Sequence, residues 1–449
     1  EASIAAAQWD SVTNRDPEKI YNPYSPAKLA ELGASHNWPA VLETIGIAGE
    51  QQIIIEQPSY FEALSKLIAE TPLETWQHYL RFRVLDSHGI HLDAATAAIR
   101  FDYRNRVLRG QKEERPRWKL GIDMVDGLVG EAVGKLYVAD YFPPAAKAKM
   151  DELVQNVTDT LEESLGELQW MSPETQAKAK DKLRKFTPKI GYPDEWKDYS
   201  SLEVVAGDHM GNVERAIAWE HERQLAKLGQ PVDDKEWFMT PQTVNAYYSP
   251  TKNEIVFPAA RLQPPFFQLN ADDAINYGAV GGVIGHEISH GFDDSGSKYD
   301  GDGNLTNWWT ETDRAAFEER ARILVEQFEQ FEPVPGMNIN GELTLGENIG
   351  DLSGVAMAYR AYIRSLNGAE PPVIDGFTGP QRFFIGYAMS RKGKYQDAAT
   401  ISRLASAPHS PLKYRVIGPY RNIDAFHEAF GTEEGDGMWL PPEERVRIW

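Results

Sequence analysis

Apolar side chains recur every three or four positions along most of the first 200 residues, which is the pattern of amphipathic helices. The clearest helical segments are residues 59–70, 71–87, 92–109 and 147–168. Ser25, Thr71 and Ser172 each precede a proline, and proline is favoured at the first position of a helix. The pattern therefore predicts a largely helical N-terminal half.

The pattern changes in the C-terminal half. Residues 244–257 are typical of two short strands around a turn, and residues 273–291 are apolar or glycine on nearly every side, which predicts a buried helix. Further helices are predicted at residues 310–331, 342–365 and 376–392. Because 449 residues exceed one ordinary core and residues 190–207 are rich in turn formers, we predict two domains. The prediction is a mostly α (α+β) protein, with a helical domain at residues 1–205 and a domain with a small sheet at residues 206–449.

The composition narrows the possible partners and the compartment. The chain has no cysteine, which excludes disulfides and thiolate metal sites and favours a bacterial protein. A net charge of −21 argues against nucleic acid and anionic membranes as partners. No apolar run approaches the length of a membrane span, and the first residue is Glu1 with no leader-like segment. We expect a soluble, processed or trimmed chain that is periplasmic or secreted in a bacterium.

The segment His286-Glu-Ile-Ser-His290 carries the strongest chemical signal. Residues four apart lie on one face of a helix, so both imidazoles can bind one zinc ion, and Glu287 can reach a water molecule bound to that ion. The alternative is a pair of structural histidines. Because the surrounding helix is predicted to be buried, two histidines without partners would be costly there, and we favour the zinc site.

A catalytic zinc site requires a third protein ligand. The pattern in which a third histidine follows shortly after the second is excluded, because Asp293 and Gly296 occupy the positions where glycine and histidine would stand. A carboxylate from a second helix remains. Glu347 and Asp351 are one turn apart in a predicted helix, which fits one zinc ligand and one acceptor that orients a ligand histidine.

Several further segments resemble the neprilysin-like (M13 family) zinc metallopeptidases. The resemblance is dense in the C-terminal half and looser in the N-terminal half. The matching C-terminal segments begin with Val244-Asn-Ala-Tyr-Tyr and Leu262-Gln-Pro-Pro-Phe-Phe, include Val283-Ile-Gly-His-Glu-Ile-Ser-His and Leu345-Gly-Glu-Asn-Ile-Gly-Asp, and end with His409-Ser-Pro, Arg415-Val-Ile-Gly and Arg447-Ile-Trp.

The resemblance implies a two-lobed zinc endopeptidase that hydrolyses oligopeptides, with a helical lid domain at residues 1–205 and a thermolysin-like catalytic zinc domain at residues 206–449. It also implies a role for each matched position. Glu287 would act as the general base that assists attack by zinc-bound water, and His409 would stabilise the transition state. Arg415 would bind a substrate carbonyl, and Asn245 and Ala246 would hold the substrate backbone at the edge of a strand. The resemblance also implies that one Zn²⁺ per chain is bound by His286, His290 and Glu347. Asp293 and Asp351 would be outer carboxylates that orient these zinc ligands.

The chain departs from this family in two respects that bear on function. It starts inside the helical domain, so an N-terminal fragment of the same protein is expected to be missing. The family's apolar pocket for the residue after the cleaved bond is also altered. Phe266 and Val283 fit that pocket, whereas the positions that depart from it are Arg261, Gly282, Ser390 and Arg391. We hypothesise that Arg261 and Arg391 favour polar or acidic substrate residues there; the alternative is that both arginines point outward.

Two other functions remain to be weighed against a zinc endopeptidase. A catalytically weak binding protein could keep the same fold, but this would be favoured by loss of Glu287 or of a zinc ligand, and all are present. A thermolysin-like protease shares the two-histidine motif. It is disfavoured by the long separation between His290 and Glu347 and by the Asn245-Ala-Tyr-Tyr segment.

Overall fold

Eighteen α-helices and five short strands make up the protein in a computed structural model that describes all residues, Glu1–Trp449. The predicted mostly α fold with a small sheet is confirmed. The chain forms two compact units: Glu1–Met124 with Asp198–Asp233, and Val125–Lys197 with Asp234–Trp449. Residues 125–197 thus belong to the second unit, although the predicted boundary placed them in the lid domain. The functional roles of the two predicted domains stay predictions.

The first unit is built from short helices and one two-stranded ribbon. Strands β1 (Pro23–Tyr24) and β2 (Ile53–Ile54) pair antiparallel. A small apolar cluster that includes Leu29, Leu32 and Trp38 lies beside this ribbon. The helices of this unit are α1 (Ala2–Ala7), α2 (Pro17–Ile20), α3 (Trp38–Thr44), α4 (Pro58–Glu70), α5 (Leu73–His88), α6 (Ala94–Phe101) and α10 (His209–Leu225).

Helix α7 (Arg117–Tyr141) begins in the first unit and continues into the second, with a break in helical geometry at Val129. The other helices belong to the second unit. None of the helices is both long and apolar enough to cross a membrane. The helices of the second unit are α8 (Pro144–Glu167), α9 (Pro173–Arg184), α11 (Asp273–Asn276), α12 (Gly282–Ser289), α13 (Glu311–Glu329), α14 (Leu345–Ser365), α15 (Gly379–Ser390), α16 (Asp397–Leu404), α17 (Tyr414–Arg421) and α18 (Asp424–Phe430).

A three-stranded sheet lies in the second unit, in the order β3 (Thr187–Gly191), β5 (Glu254–Pro258), β4 (Tyr247–Ser249). The predicted pair of strands around a turn corresponds to β4 and β5, which are antiparallel. Strand β3 joins β5 in parallel from within the stretch that the sequence marks as turn-rich. Because β5 is central, β4 is left as an edge strand whose outer backbone groups have no strand partner.

The core of the second unit includes one face of helix α8 and the whole of helix α12. Helix α8 buries Leu153, Val157, Leu161 and Leu165, each fully shielded and four residues apart, as the helical period requires. Each such side chain contributes about 1.5–3 kcal/mol through burial. Helix α12 is buried on every side, as its apolar and glycine-rich sequence predicts.

Glycines allow α12 and α14 to cross at very short range. A Cβ atom on Gly285 would lie 2.6 Å from the carbonyl oxygen of Gly354, and one on Gly354 would lie 2.5 Å from the amide nitrogen of His286. A side chain at either position would therefore force the two backbones apart. This contact fixes His286 directly against the first turns of α14.

A buried carboxylate fastens the ends of two helices in the same unit. Asp313, near the start of α13, is 3% exposed and accepts hydrogen bonds from Ser172, Thr175 and Thr310. Burial acts to raise the pKa of Asp313, but these hydrogen bonds outweigh burial and lower the pKa to about 2. The ionised form of Asp313 is therefore the one that stabilises the fold.

We predict that Asp313→Asn lowers the free energy of unfolding by roughly 2 kcal/mol at pH 7. This is the free energy that corresponds to lowering the pKa of Asp313 from 3.8 to about 2 on folding. Because the folded-state pKa is depressed, this contribution is fully present above pH 3.8 and is lost as the pH falls towards 2. Urea unfolding at several pH values tests this. The control is Glu319→Gln, an exposed residue on the same helix. A deficit in Asp313→Asn that does not shrink between pH 5 and pH 2 would contradict the assignment.

Candidate metal centre

The two motif histidines lie at the C-terminal end of α12. His286 is in the last turn and His290 is the C-terminal cap residue, so both rings lie on the same side of the helix. His286 is 4% exposed and His290 is largely buried. Their Nε2 atoms are 3.1 Å apart. The helix therefore presents two converging imidazole nitrogens.

Glu347 completes the cluster from the first turn of α14. Its Oε2 atom lies 3.2 Å from His286 Nε2 and 3.9 Å from His290 Nε2. One ligand atom from each of His286, His290 and Glu347 lies within 4.8 Å of the others. The structure thus brings together the three residues that the sequence singled out as metal ligands.

This donor set fits zinc. Two imidazole nitrogens and one carboxylate oxygen are a ligand set used by catalytic zinc sites, in which the fourth position remains open. Zn–N bonds of about 2.0–2.1 Å place two nitrogens on the same ion roughly 3.3 Å apart, close to the observed 3.1 Å. Glu347 Oε2 is buried and accepts no hydrogen bond of normal geometry. A cation between the three side chains would satisfy that oxygen.

A carboxylate lies behind each ligand histidine. Asp293 Oδ2 accepts a hydrogen bond from His290 Nδ1 at 2.7 Å, and Asp351 Oδ1 lies 3.1 Å from His286 Nδ1. A proton on each Nδ1 leaves each Nε2 as the nitrogen that faces the cluster. Asp293 is itself held by the backbone amides of Ser295 and Gly296. Both acids therefore lie where they can orient a ligand.

The electrostatics of the cluster favour a positive charge at its centre. Burial lowers the pKa of His290, but Asp293 and Glu347 outweigh burial and raise that pKa to about 10. Burial acts to raise the pKa of Glu347, but the imidazoles of His286 and His409 hold that pKa well below its usual range. The same field that retains a proton on His290 would stabilise a metal cation.

A cavity of about 340 Å³ opens beside this cluster. Its lining includes the three candidate ligands, Glu287 and His409. Glu287 follows His286 directly in α12, is 5% exposed and is one of the residues that line this cavity. The cavity is the space in which a substrate could meet both a bound metal and a carboxylate base.

His409 reaches the cluster from a loop between α16 and α17. Its Nε2 atom lies 3.0 Å from Glu347 Oε2. The neighbouring Ser410 is buried and donates a hydrogen bond to Asn348 on α14. This bond ties the loop to the helix that carries Glu347, so His409 is placed by the same element as the third ligand.

Arg415 lies behind the ligand residues on α17. Its Nε donates to Asp351 Oδ2 at 2.6 Å, and one terminal nitrogen donates to Asp351 Oδ1 at 2.9 Å. Burial acts to raise the pKa of Asp351, but Arg415 and Arg391 hold it well below its usual range. Arg415 also lines the cavity. It therefore fixes Asp351 and still faces the space in which a substrate would lie.

The residues predicted to form a substrate pocket separate into two groups. Arg261 and Arg391 both line the cavity and are 8% and 7% exposed, so neither points outward to solvent. Arg391 is not free, because it donates to Asp351 Oδ1 at 2.9 Å. Phe266 and Val283 are not part of the lining of this cavity. Arg391 thus already has an anionic partner within the protein, and the effect of Arg261 and Arg391 on substrate preference stays a prediction.

Two of the altered positions, Gly282 and Ser390, lie against Tyr387 and are not part of the lining of the cavity. A Cβ atom on Gly282 would lie 2.7 Å from the ring of Tyr387. The Ser390 hydroxyl donates to the backbone oxygen of Tyr387, and Ser390 is buried. The ring of Tyr387 therefore occupies the space beside Gly282.

Asn245 and Ala246 lie at the mouth of the cavity, directly before β4. Asn245 is exposed and Ala246 is buried. They precede the strand rather than belong to it. Their role in holding the backbone of a substrate stays a prediction.

One buried residue near the centre was not singled out from the sequence. Lys182 on α9 is 1% exposed and donates to the backbone oxygens of Gly296 and Tyr299, both at 2.7 Å. Burial lowers the pKa of Lys182 to about 7. Through Gly296, Lys182 supports the loop that follows Asp293. Nothing in the local sequence of α9 distinguishes this lysine from the exposed lysines beside it.

Comparison with known proteins places these features in a family. Residues 245–446 match one model described as peptidase family M13, and residues 1–193 match a second model of the same description. Neprilysin-11 of Caenorhabditis elegans is 35% identical over 455 residues, which cover 97% of this chain and 53% of that protein. The chain spans less than two thirds of the length of this and other curated relatives.

Two solved bacterial structures are similar over nearly the whole chain. The zinc metalloprotease Zmp1 of Mycobacterium tuberculosis, solved with an inhibitor, has a TM-score of 0.96 and is 47% identical, covering 100% of this chain and 69% of that one. PepO of Lactobacillus rhamnosis has a TM-score of 0.90 and 30% identity, covering 99% of this chain and 69% of that one. With matches to family models at both ends and this similarity in sequence and structure, the chain belongs to peptidase family M13.

Proposed function

We propose that this protein is a zinc-dependent endopeptidase that hydrolyses peptide bonds of oligopeptides. The observation that carries the proposal is the convergence of His286, His290 and Glu347 beside a cavity that also contains the Glu287 carboxylate. Membership of a peptidase family supports the same reaction. The proposal includes one zinc ion per chain, which the cluster of His286, His290 and Glu347 supports.

The three ligand residues would hold zinc through His286 Nε2, His290 Nε2 and Glu347 Oε2. When bound there, zinc supplies a Lewis acid that polarises a peptide carbonyl and makes a water molecule more acidic. Asp293 and Asp351 keep each imidazole in the orientation and tautomer that leave its Nε2 free for the metal.

Glu287 is the proton carrier of this proposal. Its carboxylate lies in the cavity and is shielded from bulk solvent. It would accept a proton from the attacking water and then donate it to the nitrogen of the leaving amine, the two roles of a general base and general acid. No other carboxylate lines the cavity except Glu347 and Asp293, which face the histidines.

His409 and Arg415 would act on the carbonyl oxygens of the substrate. An imidazole N–H close to the reacting carbonyl can donate to the negative charge that develops on its oxygen. Arg415 has N–H groups beyond those given to Asp351, and it faces the cavity. The backbone at Asn245 and Ala246 would pair with the substrate as an added strand.

The direct test is cleavage of an internally quenched fluorogenic peptide with and without a chelator. A zinc peptidase loses activity with the chelator and regains it with added zinc. A protein that keeps the fold only for binding would bind the same peptide without cleaving it. We also propose a location outside the cytoplasm of a bacterium, which fractionation of cells that produce the protein would check.

For Glu287→Gln, we predict that zinc stays bound and that kcat falls by at least about 10²–10⁴, the usual contribution of general acid–base catalysis. The amide keeps the size of the side chain but cannot accept the proton. Metal content and kcat are measured on the same preparation. Near-normal turnover by the zinc-loaded variant would show that another group is the base.

Glu347→Ala removes a ligand, so we predict a loss of zinc affinity rather than a loss of the base. The loss should exceed the roughly 10–100-fold typical when only an outer partner of a ligand is removed. Excess zinc should restore part of the activity. Metal analysis after dialysis checks this, with Glu342→Ala as the control because Glu342 is a nearby exposed glutamate. Full zinc occupancy in Glu347→Ala would mean that the third ligand is another residue.

For His409→Phe, we predict a fall in kcat of about 10²–10³ with little change in KM, because the imidazole meets its partner only in the transition state. His409 Nε2 also lies near Glu347, so zinc content is measured in parallel. If KM rises while kcat holds, His409 contacts the bound substrate instead.

A further inference from the structure

Arg261 is a buried guanidinium without an ionic partner in the cavity beside the metal centre. It lies in the short turn of helix Ala259–Leu262, directly after β5, and it is 8% exposed. Its Nε atom is buried and makes no hydrogen bond. No carboxylate forms an ion pair with it, whereas the neighbouring Arg391 and Arg415 both pair with Asp351.

The side chain is nevertheless held in a defined plane. The guanidinium carbon of Arg261 lies 3.8 Å from the centre of the Phe266 ring, which places the planar group over the ring face. Stacking of this kind leaves the N–H donors at the edge of the guanidinium plane free to bind an acceptor. Arg261 is therefore positioned to donate two parallel N–H groups to a single carboxylate.

The charge of Arg261 has no ion-pair partner in the protein, although the carboxylates of Glu287 and Asp351 favour it from a longer distance. Burial, and next the positive charge of Arg391, lower the pKa of Arg261 to about 9. The group is thus still charged at neutral pH but is destabilised in that form. An unpaired buried charge is costly, and an anion that enters the cavity would offset that cost.

We propose that Arg261 binds a carboxylate of the peptide substrate. This inference rests on the proposed function, because a peptide can bring only two kinds of carboxylate into the cavity: an Asp or Glu side chain, or its own C-terminus. A planar guanidinium suits either one through two parallel N–H···O bonds. Arg261 is thereby a specificity-determining residue, distinct from the groups that act on the cleaved bond.

The test uses two matched pairs of fluorogenic peptides. In the first pair the C-terminus is amidated and the residue after the cleaved bond is Glu or Gln. In the second pair that residue is Gln and the C-terminus, placed close to the cleaved bond, is a free acid or an amide. We expect the wild type to prefer the carboxylate by about 10- to 100-fold in kcat/KM in one pair, which identifies the source of the carboxylate.

The variant Arg261→Met, which keeps the length but not the charge, should reduce that ratio to about one. Arg261→Lys should keep part of it, because a lysine provides the charge without the planar pair of donors. Arg391→Met is the matched control, since Arg391 is already paired with Asp351. Using ratios within each variant separates recognition from a general loss of activity or folding.

Three outcomes would overturn the inference. They are a wild type that shows no carboxylate preference in either pair, a preference that persists in Arg261→Met, and a preference that is lost in Arg391→Met but not in Arg261→Met. Titration of the uncleaved Glu and Gln peptides into zinc-loaded Glu287→Gln measures the same preference as binding. If a chelator does not change the rate at which the wild type cleaves any of the four peptides, the proposed function is refuted instead. In that case the ratio of affinities for the Glu and Gln peptides still tests whether Arg261 binds a carboxylate.

Discussion

The close crossing of α12 and α14 is the contact on which the metal centre depends. Two of the candidate ligands and the base lie on one helix, and the third ligand lies on the other. The backbones approach so closely at Gly285 and Gly354 that no side chain fits between them. A Cβ at the crossing would push the two helices apart, and the imidazoles of α12 and Glu347 of α14 would separate with them. Packing between buried helices thus sets the geometry of the donor atoms.

The same crossing concentrates ionisable groups in a place with little solvent. Glu347, Asp351 and Asp293 are all 8% exposed or less. Each is compensated differently: Asp293 by backbone amides and His290, and Asp351 by two arginines and His286. Glu347 faces three imidazoles at 3.0–3.9 Å and a terminal nitrogen of Arg415 at 3.7 Å, but its Oε2 atom accepts no hydrogen bond, so it is the carboxylate that a metal ion would complete. The partners of each carboxylate therefore distinguish Glu347, the candidate metal ligand, from Asp293 and Asp351, which orient the histidines.

Much of this could be predicted from the sequence, because it depends on local periodicity. Helices α8, α13, α14 and α15 lie where the apolar spacing places them, and α12 is buried as its composition indicates. Helices α16, α17 and α18 were not predicted. The grouping of residues 125–197 with the C-terminal segment was not predicted. It results from parallel pairing of β3 with β5 and from packing of α8, and such long-range contacts leave no local pattern.

The sequence by itself determined which residues could bind a metal, since a separation of four residues in a helix places two side chains on one face whatever surrounds them. It also indicated that Arg261 and Arg391 are unusual. Only the tertiary structure decided that Asp351 pairs with Arg391 and leaves Arg261 unpaired, and that Lys182 supports the loop beyond Asp293. The physical reason is that a charged side chain takes its partner from whatever lies within a few ångströms of it. For residues many positions apart in the chain, packing alone fixes that neighbourhood.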